Sequence, residues 1–426
     1  MNLDRKTFLR TAVLAPAALA AGARAATAAA PAPALPAYDA REPERFWQAV
    51  RDLYPLTKDR VYLNTGGLGP ASRPALDAMA ATTAKLQETG EHGHGQFAGF
   101  RATVAAFLGA DPAGLAFVRN ATEGNATVAA GLQLQAGDEV IFDDHAHPGG
   151  SFGWYQQARL RGLTVKLFTP DPGDPATNLA RIAALVTPRT RAVQVSHITA
   201  PTGIVLPVAD IARLCRERGI WFHIDGAQSA GMLPFSLREI GCDSFATSGH
   251  KWLGAPHETG VLYVRPDRLD AVAPLLVGAY SGDLDFLPGE FKLAPTALRY
   301  EYGTRNVAAA AGLAAAVQLQ EKVGRERIAA RGRELAGRVH AGLARIAGVE
   351  VLSPTHPAAS SAMVTFRSAK VPQDTMFSRL LKEHAFRCRP VTEQKINAVR
   401  VSLHVFNSPA ECDRLVAATA KITGAA

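Results

Sequence analysis

Four side chains suited to acid–base and nucleophilic chemistry follow directly after two short apolar runs. The runs cover residues 221–224 and 242–247, and the side chains that follow them are Asp225, Ser248, His250 and Lys251. Short apolar runs that stop abruptly at polar residues are typical of buried strands, whose carboxyl ends meet at one edge of a parallel sheet. We therefore expect a carboxylate, a hydroxyl, an imidazole and an amine to converge on one crevice.

This combination meets the needs of pyridoxal phosphate. A lysine amine forms a Schiff base with the cofactor's aldehyde, and a carboxylate opposite the pyridine nitrogen keeps that nitrogen protonated. A hydroxyl and an imidazole beside the lysine can hold the phosphate. An isolated Asp after a strand is more often a turn former, and an isolated Lys is more often a solvated surface charge. The grouping of all four favours a cofactor site over those interpretations.

Two motifs carry a resemblance to a known family. The chain reads H-x-D-x-A-Q-x-x-G at residues 223–231 and S-x-H-K at residues 248–251. Both resemble motifs of the class V aminotransferase family of fold-type I pyridoxal-phosphate enzymes. The stretch S-H-x-T-x-P-T-G at residues 196–203 is similar to the branch that contains isopenicillin N epimerase, whereas cysteine desulfurases usually carry asparagine in place of Ala200. The resemblance implies an α/β fold, with a mostly parallel sheet of the seven-stranded type in a large domain and a smaller C-terminal α+β domain.

The resemblance also implies roles for individual residues. Catalysis falls to Lys251, Asp225 and His145, and substrate binding to Arg400 and Asn64. The implied cofactor-binding residues are Thr122, Glu123, Gly124, His145, Asp225, Gln228, Ser248, His250, Lys251 and Thr304. His147 competes with His145 for stacking on the pyridine ring, and we prefer His145 because it lies nearer the end of the strand predicted at residues 138–144. In the family the threonine of the G-T-R turn reaches the neighbouring subunit's cofactor, so Thr304 implies a homodimer with shared active sites.

The predicted elements explain how these residues are positioned. Residues 117–118 lead through small polar residues into an apolar run at 128–132, and a strand, turn and helix in this order point free backbone N–H groups at an anion. Strands and helices alternate as far as residue 264, and two long helices are predicted at 307–323 and 326–346. We predict a linker and N-terminal segment at 31–60, a large cofactor-binding domain at 61–305 and a small domain at 306–426.

Composition and charge narrow the function further. The 426 residues include 46 basic and 38 acidic ones, giving a formal charge of +8 without any block of like charge. We expect a mild preference for anionic ligands and no nucleic-acid partner. The four cysteines lack metal or disulfide spacing, and no metal site is expected. Arginines on either side of Cys388 are expected to lower its thiol pKa, but the glycine–histidine context of the desulfurase nucleophile is missing, so no catalytic thiol is predicted.

The first thirty residues are typical of an export signal. Arg5-Lys6 begins a charged region, residues 11–21 form an apolar core too short to span a membrane, and Ala23-Arg24-Ala25 offers a cleavage site. R-K-x-F-L-R resembles the twin-arginine signal with lysine as its second basic residue. We predict export to the periplasm and no stable membrane anchor. The alternative is an uncleaved, disordered tail rich in Ala and Pro.

The motifs specify the cofactor better than the reaction. An amino-acid substrate held by Arg400 would present its α-proton to Lys251, and the fate of that proton decides the outcome. We predict an epimerase-like or aminotransferase-like enzyme. The alternative is a carbon–sulfur lyase acting on a cysteine derivative, and a second alternative is a cofactor-binding protein without turnover. Lys251 and Asp225 disfavour the last, because binding alone needs no electron sink.

Overall fold

The computed structural model describes residues 35–282 and 291–424. Its strands are β1 (Val61–Tyr62), β2 (Leu115–Val118), β3 (Glu139–Asp143), β4 (Thr164–Phe168), β5 (Thr190–Ser196), β6 (Trp221–Asp225), β7 (Ser244–Ser248), β8 (Gly260–Val264), β9 (Val349–Val351), β10 (Met363–Ser368), β11 (Phe386–Arg387), β12 (Arg389–Val391) and β13 (Ala398–Ser402). Its α-helices are α1 (Pro43–Arg51), α2 (Arg73–Thr89), α3 (Phe97–Leu108), α4 (Ala121–Gly131), α5 (Pro148–Arg161), α6 (Pro175–Leu185), α7 (Val208–Glu217), α8 (Leu237–Ile240), α9 (Val307–Val323), α10 (Arg325–Leu343), α11 (Gln373–Lys382) and α12 (Pro409–Thr423). The export signal predicted at 1–30 lies outside the described residues.

A seven-stranded sheet occupies the first part of the fold, in the order β2-β8-β7-β6-β5-β3-β4. Only β8 runs against its neighbours, so the predicted mostly parallel sheet is confirmed. The inner strands β3, β6 and β7 are buried along their whole length. Helices cover both faces of such a sheet, which explains why these strands appear in the sequence as apolar runs rather than alternating ones.

Helices α2 and α9 pack against each other beside this sheet. Pro74 stands in the first turn of α2, and Gly90 ends the helix in the left-handed conformation at φ 69°, which glycine adopts without steric cost. Helix α9 has the predicted bounds and is alanine-rich and almost wholly buried. Its small side chains allow close approach to α2.

A second, antiparallel sheet forms from the C-terminal part in the order β12-β13-β10-β9, with α10 and α12 packed together beside it. Strand β1 pairs in parallel with β11, and Asn64 bridges to Ser402. Residues 61–64, which the prediction places in the large domain, are thus hydrogen-bonded to the C-terminal part. The described residues group into one compact unit, and the boundary at residue 305 stays a prediction.

Helix α5 was not predicted, because it begins Pro148-Gly149-Gly150 and shows no apolar period. Its formation depends on tertiary packing: Trp154 is fully buried and its indole N–H donates to Gln194 Oε1 at 2.8 Å. His147 caps this helix by accepting from the Gly149 N–H. No helix within residues 35–282 and 291–424 has the length and apolarity to cross a bilayer.

Candidate active site

Asp225 and Lys251 line one cavity of about 240 Å³. β6 ends at Asp225, β7 ends at Ser248, and Lys251 lies in the turn that follows. These strands are parallel neighbours, with Asp225 aligned to Ala246, so their carboxyl ends bring the side chains to one edge of the sheet. Of the residues singled out from the sequence, the cavity lining includes Thr122, Asp225, Gln228, Ser248, His250, Lys251 and Arg400.

The amine of Lys251 is prepared for nucleophilic attack by its surroundings. Burial lowers the pKa of Lys251 to about 8; the Asp225 carboxylate opposes this shift, and the charges of Arg400 and Arg389 add to it. A lysine with so low a pKa is neutral in a substantial fraction of molecules near neutral pH. Only the neutral amine attacks a carbonyl carbon, so the site favours carbonyl chemistry at Lys251.

Asp225 is held by hydrogen bonds to both of its carboxylate oxygens. Asn125 Nδ2 donates to Oδ2 at 2.9 Å, and the backbone N–H of Ala227 donates to Oδ1 at 3.0 Å. Asn125 lies on α4, which packs against β7. The two donors fix the plane of the carboxylate and leave it facing the cavity.

Asn125 is itself part of a buried chain of hydrogen bonds. Its Oδ1 lies 2.8 Å from His223 Nε2, and His223 Nδ1 lies 2.8 Å from Ser244 Oγ, which accepts from the Trp221 indole N–H at 2.9 Å. Because Asn125 donates to Asp225 through its amide nitrogen, its oxygen must accept, which places the imidazole proton on Nε2. Burial lowers the pKa of His223 to about 3, so this ring is neutral.

The N-terminus of α4 forms an anion-binding end of the cavity. Thr122, in the first turn, lines the cavity, and the Asn120 side chain caps the helix by accepting from the Glu123 N–H at 3.0 Å. Ser248 Oγ accepts from the Ala121 N–H at 2.9 Å, which ties β7 to this helix. Free N–H groups and the helix dipole at such a terminus favour a phosphate.

The other two residues of the predicted T-E-G turn have different positions. The Glu123 carboxylate accepts from the Arg119 backbone N–H at 2.6 Å and from the Arg119 side chain at 3.1 Å, and it faces a neighbouring cavity. Gly124 packs on the sheet, where a Cβ would lie 2.8 Å from the Cβ of Ala246. Neither is among the residues that line the Lys251 cavity. Glu123 and Gly124 therefore shape the turn rather than face this cavity.

Arg400 reaches the cavity from β13, and its side chain is buried. Nη1 donates to the carbonyl oxygen of Ala200 at 2.5 Å, and Nη2 lies 3.4 Å from Asn64 Oδ1. Burial and the charge of Arg389 lower the pKa of Arg400 to about 9. Its hydrogen-bond acceptors in the described structure are neutral oxygens, so the guanidinium is suited to bind a carboxylate.

Gln228 connects the turn at Gly66 to the cavity. Its Nε2 donates to the Gly66 carbonyl at 2.9 Å, and its Oε1 accepts from the Trp252 indole N–H at 2.7 Å. An amide nitrogen carries two hydrogens, so one donor of Gln228 stays available to a ligand. A Cβ on Gly66 would come within 2.9 Å of Arg400 Nη2, which shows how closely this turn approaches the site.

The two histidines that compete to stack on the pyridine ring have different positions in the structure. His147, not His145, lines the cavity. His145 points elsewhere, and its Nδ1 lies 3.0 Å from Thr202 Oγ1. The strand ends at Asp143 and the chain turns before α5, so His147 at the helix N-cap, two positions after His145, reaches the site. The structure thus favours the competing candidate His147 for this position, and the stacking itself stays a prediction.

Two further expectations have a structural outcome. Thr304 lies in a separate cavity with Arg305 and Asn306, so within one chain it does not face Lys251. Cys388 is buried, and burial raises its thiol pKa to about 12, although Arg387 acts in the opposite direction. The expectation that the flanking arginines lower this pKa is wrong, because desolvation of the thiolate outweighs their charge.

Sequence reasoning missed Asn125 and Arg389, both of which line the cavity. Asn125 follows Thr122 by three positions, a spacing that places both on one face of a helix. This spacing is sufficient to identify Asn125 as a candidate from the sequence. Arg389 reaches the cavity from β12 through its pairing with β13, and nothing in the sequence indicated that register.

The family profile described as aminotransferase class V matches residues 75–415. The chain is 33% identical to isopenicillin N epimerase of Streptomyces clavuligerus over 392 residues, which cover 89% of this chain and 98% of that protein. It is 30% identical to a probable cysteine desulfurase of Methanothermobacter thermautotrophicus over 320 residues, covering 71% and 76%.

Solved structures show the same fold. An apo cysteine desulfurase from Thermococcus onnurineus NA1 superimposes with a TM-score of 0.80 at 25% identity, covering 88% of this chain and 98% of that one. A mutant of C-DES with glycine covalently linked to the pyridoxal-phosphate cofactor gives a TM-score of 0.79 at 29% identity, covering 87% and 98%. These similarities establish the fold-type I architecture and pyridoxal 5'-phosphate as the cofactor.

The residues of the cavity fit this cofactor. The α4 N-terminus, with Thr122 and Ser248, would hold the phosphate, and Lys251 would hold the aldehyde carbon. Two glycines at the start of α5 keep the space beside these groups open. A Cβ on Gly149 would lie 2.3 Å from Thr122 Oγ1, and one on Gly150 would lie 2.8 Å from Asp225 Oδ2. Asp225 would face the pyridine nitrogen.

Proposed function

We propose that this chain, which belongs to the aminotransferase class V family of pyridoxal-phosphate enzymes, acts at the α-carbon of an amino acid. The proposed reaction is epimerisation, and the alternative at the same carbon is transamination. When bound, pyridoxal phosphate withdraws electrons from the α-carbon and so acidifies its hydrogen. Arg400 would bind the substrate carboxylate, and Lys251 would take the α-proton at Nζ. Asp225 would keep the pyridine nitrogen protonated, since it is fixed by Asn125 and Ala227.

One observation favours epimerisation: Lys251 and His147 line the same cavity. An epimerase needs two groups that exchange a proton with the α-carbon, one on each face of the substrate. Burial and the charge of Lys251 lower the pKa of His147, and its Nδ1 accepts from the Gly149 N–H, so the neutral imidazole carries its proton on Nε2, from which it could exchange with the α-carbon. Transamination would need only Lys251, because a single base can move the proton along one face.

The test distinguishes proton exchange on the two faces of the α-carbon. The holoenzyme is incubated with single enantiomers of amino acids in D2O, and deuterium at the α-carbon, chirality and keto acid are each measured. An epimerase whose second proton-exchanging group is His147 should give deuterated antipode. His147→Gln should lose formation of the antipode by about 100-fold while exchange with retention continues at Lys251. Keto acid without antipode would favour transamination, and no exchange with any amino acid would contradict both.

Elimination from a cysteine derivative is the second candidate. The similarity to C-DES supports it, since one structure of that protein is described as a cystine C–S lyase in complex with cysteine persulfide. The buried Cys388, with its raised pKa, is unsuited to accept sulfur as a desulfurase nucleophile would. Release of thiol or persulfide from cystine in the same assays, together with keto acid, would select this reaction.

We also propose a homodimer with shared active sites. A cavity of about 430 Å³ adjoins the α4 N-terminus, and Leu275 and Leu276, both substantially exposed, form part of its wall. An exposed apolar wall beside a cofactor site is typical of a surface that a second subunit covers. In such a dimer, Thr304 of one subunit would reach the cofactor phosphate of the other. Light scattering of the holoenzyme should give twice the chain mass, and Thr304→Ala should weaken cofactor retention without changing that mass. A monomer with full activity would contradict this proposal.

Export by a twin-arginine-like route stays a proposal that depends on residues 1–30. Folding around a cofactor before export would suit that route. Expression of the full chain and fractionation of the cells should place it in the periplasm, and Arg5-Lys6→Gln-Gln should retain it in the cytoplasm. Equal distribution of both forms would contradict the proposal.

A further inference from the structure

Arg389 and Arg400 lie opposite one another on neighbouring strands. They are direct partners in the antiparallel register of β12 and β13, so their side chains are on the same face of the small sheet. Both line the cavity that contains Lys251. Among the described residues of this lining, Lys251, Arg389 and Arg400 are basic, and Asp225 is the acidic one. The arrangement places like charges side by side, which is unfavourable unless anions bind there.

Each of the two guanidinium groups keeps a buried N–H for which residues 35–282 and 291–424 provide no acceptor. For Arg400 this group is Nε; its Nη1 and Nη2 face Ala200 and Asn64. For Arg389 it is Nη1, while Nη2 donates to the carboxylate of Glu393. A buried donor without an acceptor is costly, particularly when it is charged. Each of the two arginines therefore offers a donor that can bind an anion.

We infer that Arg389 binds a second, distal carboxylate of the substrate, so that the preferred substrates are dicarboxylic α-amino acids. The inference rests on the proposed function, in which Arg400 binds the α-carboxylate. Arg389 is then a specificity-determining residue. The register pairing holds the two guanidinium groups on adjacent strands, so a substrate with a carboxylate at each end can contact both.

Glu393 acts as the internal carboxylate that occupies Arg389 before the substrate arrives. It begins a loop in which Gln394, Lys395 and Asn397 all have positive φ, at 49°, 58° and 49°. Non-glycine residues in this region are strained, so the loop gains little from remaining in this one conformation. Gln394 Nε2 donates to the carbonyl of Asp144 and thereby fastens the loop to the end of β3. A substrate carboxylate would replace Glu393 on Arg389.

The first test compares matched substrates on the holoenzyme. L-Aspartate, L-glutamate and L-2-aminoadipate are compared with L-2-aminobutyrate and L-norvaline for α-hydrogen exchange in D2O. Arg389→Gln should lower kcat/KM for the preferred dicarboxylic substrate by about 30-fold or more, and for the monocarboxylic ones by less than about threefold. Arg389→Lys, which keeps the charge and loses the fork, should be intermediate.

Arg387→Gln is the matched control. This arginine lies two positions away and stacks on Phe377, with its guanidinium carbon 5.6 Å from the ring centroid, outside the cavity. It should change neither substrate class. Equal losses for both classes in Arg389→Gln would mean that the two arginines clamp a single carboxylate, which overturns the inference. An unchanged preference would do the same, since Arg389 would then only hold Glu393.

The second test does not need turnover. Glutarate, with two carboxylates, should raise the Tm of the holoenzyme in a saturable way, and butanoate, with one, should raise it less at equal concentration. Arg389→Gln should abolish the difference, and Glu393→Gln should tighten glutarate binding several-fold because the competing carboxylate is gone. If no amino acid is turned over but glutarate binding depends on Arg389, the proposed function fails while the carboxylate-binding role of Arg389 stands. Glutarate binding that is independent of Arg389 overturns it.

Discussion

Asn125 Nδ2 donates to Asp225 Oδ2 at 2.9 Å, and the Oδ1 of the same amide lies 2.8 Å from His223 Nε2. One amide thus connects the carboxylate that lines the cavity to a neutral, buried imidazole. His223 stands two residues before Asp225 on β6, so the strand supplies both the carboxylate and the group that orients its partner. The chain of donors has one consistent direction, from Trp221 to the carboxylate.

Asn125→Ala should therefore weaken both stability and cofactor binding. It leaves Asp225 Oδ2 and His223 Nε2 without their shared partner, which should cost about 1–3 kcal/mol in the free energy of unfolding. Denaturant unfolding of the apoprotein and equilibrium dialysis of the cofactor measure the two effects. Thr127→Ala on the same helix is the control, because Thr127 contacts the Glu123 carbonyl rather than Asp225. Cofactor affinity equal in both variants would contradict the role of Asn125.

Asn125→Asp keeps the shape of the side chain but replaces the N–H donor to Asp225 with a second carboxylate. A second carboxylate beside Asp225 should raise the pKa of one of the two carboxyl groups, because both cannot ionise easily at this distance. Relative to the wild type at the same pH, we expect the variant to lose more cofactor affinity at pH 8 than at pH 5.5, because two ionised carboxylates repel each other. The pH dependence of the dissociation constant checks this.

Capture of pyridoxal phosphate by the apoprotein should depend on the pKa of Lys251, which burial lowers to about 8. The neutral amine reacts, so below pH 8 the rate constant should rise about tenfold per pH unit and level off above it. The contribution of Lys251 to the free energy of unfolding should also increase with pH. Between about pH 8 and the ordinary lysine pKa the unfolded chain holds the proton that the folded chain has lost, so this group adds stability as the pH rises. A rate that falls from pH 6 to 8 would contradict the lowered pKa.

The features that were predictable from the sequence lie within continuous segments. Asp225 and Lys251 each follow a buried strand, and parallel strands share an edge, so their meeting could be inferred without a structure. The position of His147 could not, because α5 starts with Pro-Gly-Gly and depends on the burial of Trp154. Arg389 depends on the β12–β13 register and on three left-handed residues, Gln394, Lys395 and Asn397, of which only the asparagine is typical of such a conformation.

Gly66→Ala should damage substrate binding. The new Cβ would lie 2.9 Å from Arg400 Nη2 and 3.0 Å from both Gln228 Oε1 and Ser402 Oγ, so the arginine must shift. We expect KM for amino acids to rise about tenfold or more, because a displaced fork loses its bidentate geometry. Gly95→Ala is the control, since a Cβ there has nothing within 4 Å. Unchanged KM in Gly66→Ala would mean that Arg400 does not bind the substrate.

Cys388→Ala should leave the reaction intact, whether that reaction is epimerisation, transamination or elimination. With a thiol pKa of about 12, only about one molecule in ten thousand carries the thiolate at pH 8. Labelling of the native protein at this residue should accordingly be slow and should become fast only after unfolding. Loss of sulfur release from cysteine in Cys388→Ala, with cofactor and fold retained, would instead identify it as a nucleophile.

We propose that Lys251 holds pyridoxal phosphate in the cavity that Asp225 and Arg400 also line. The most direct measurement is the visible absorbance of the purified protein, reconstituted with pyridoxal phosphate and freed of excess cofactor, before and after borohydride reduction and peptide mapping. We expect a visible band in the wild type, a reduced adduct on the peptide that contains Lys251, and neither in Lys251→Ala. Lys85→Ala, at a surface position, should match the wild type. A wild type without the band, or a band that persists in Lys251→Ala, would show that Lys251 does not hold the cofactor.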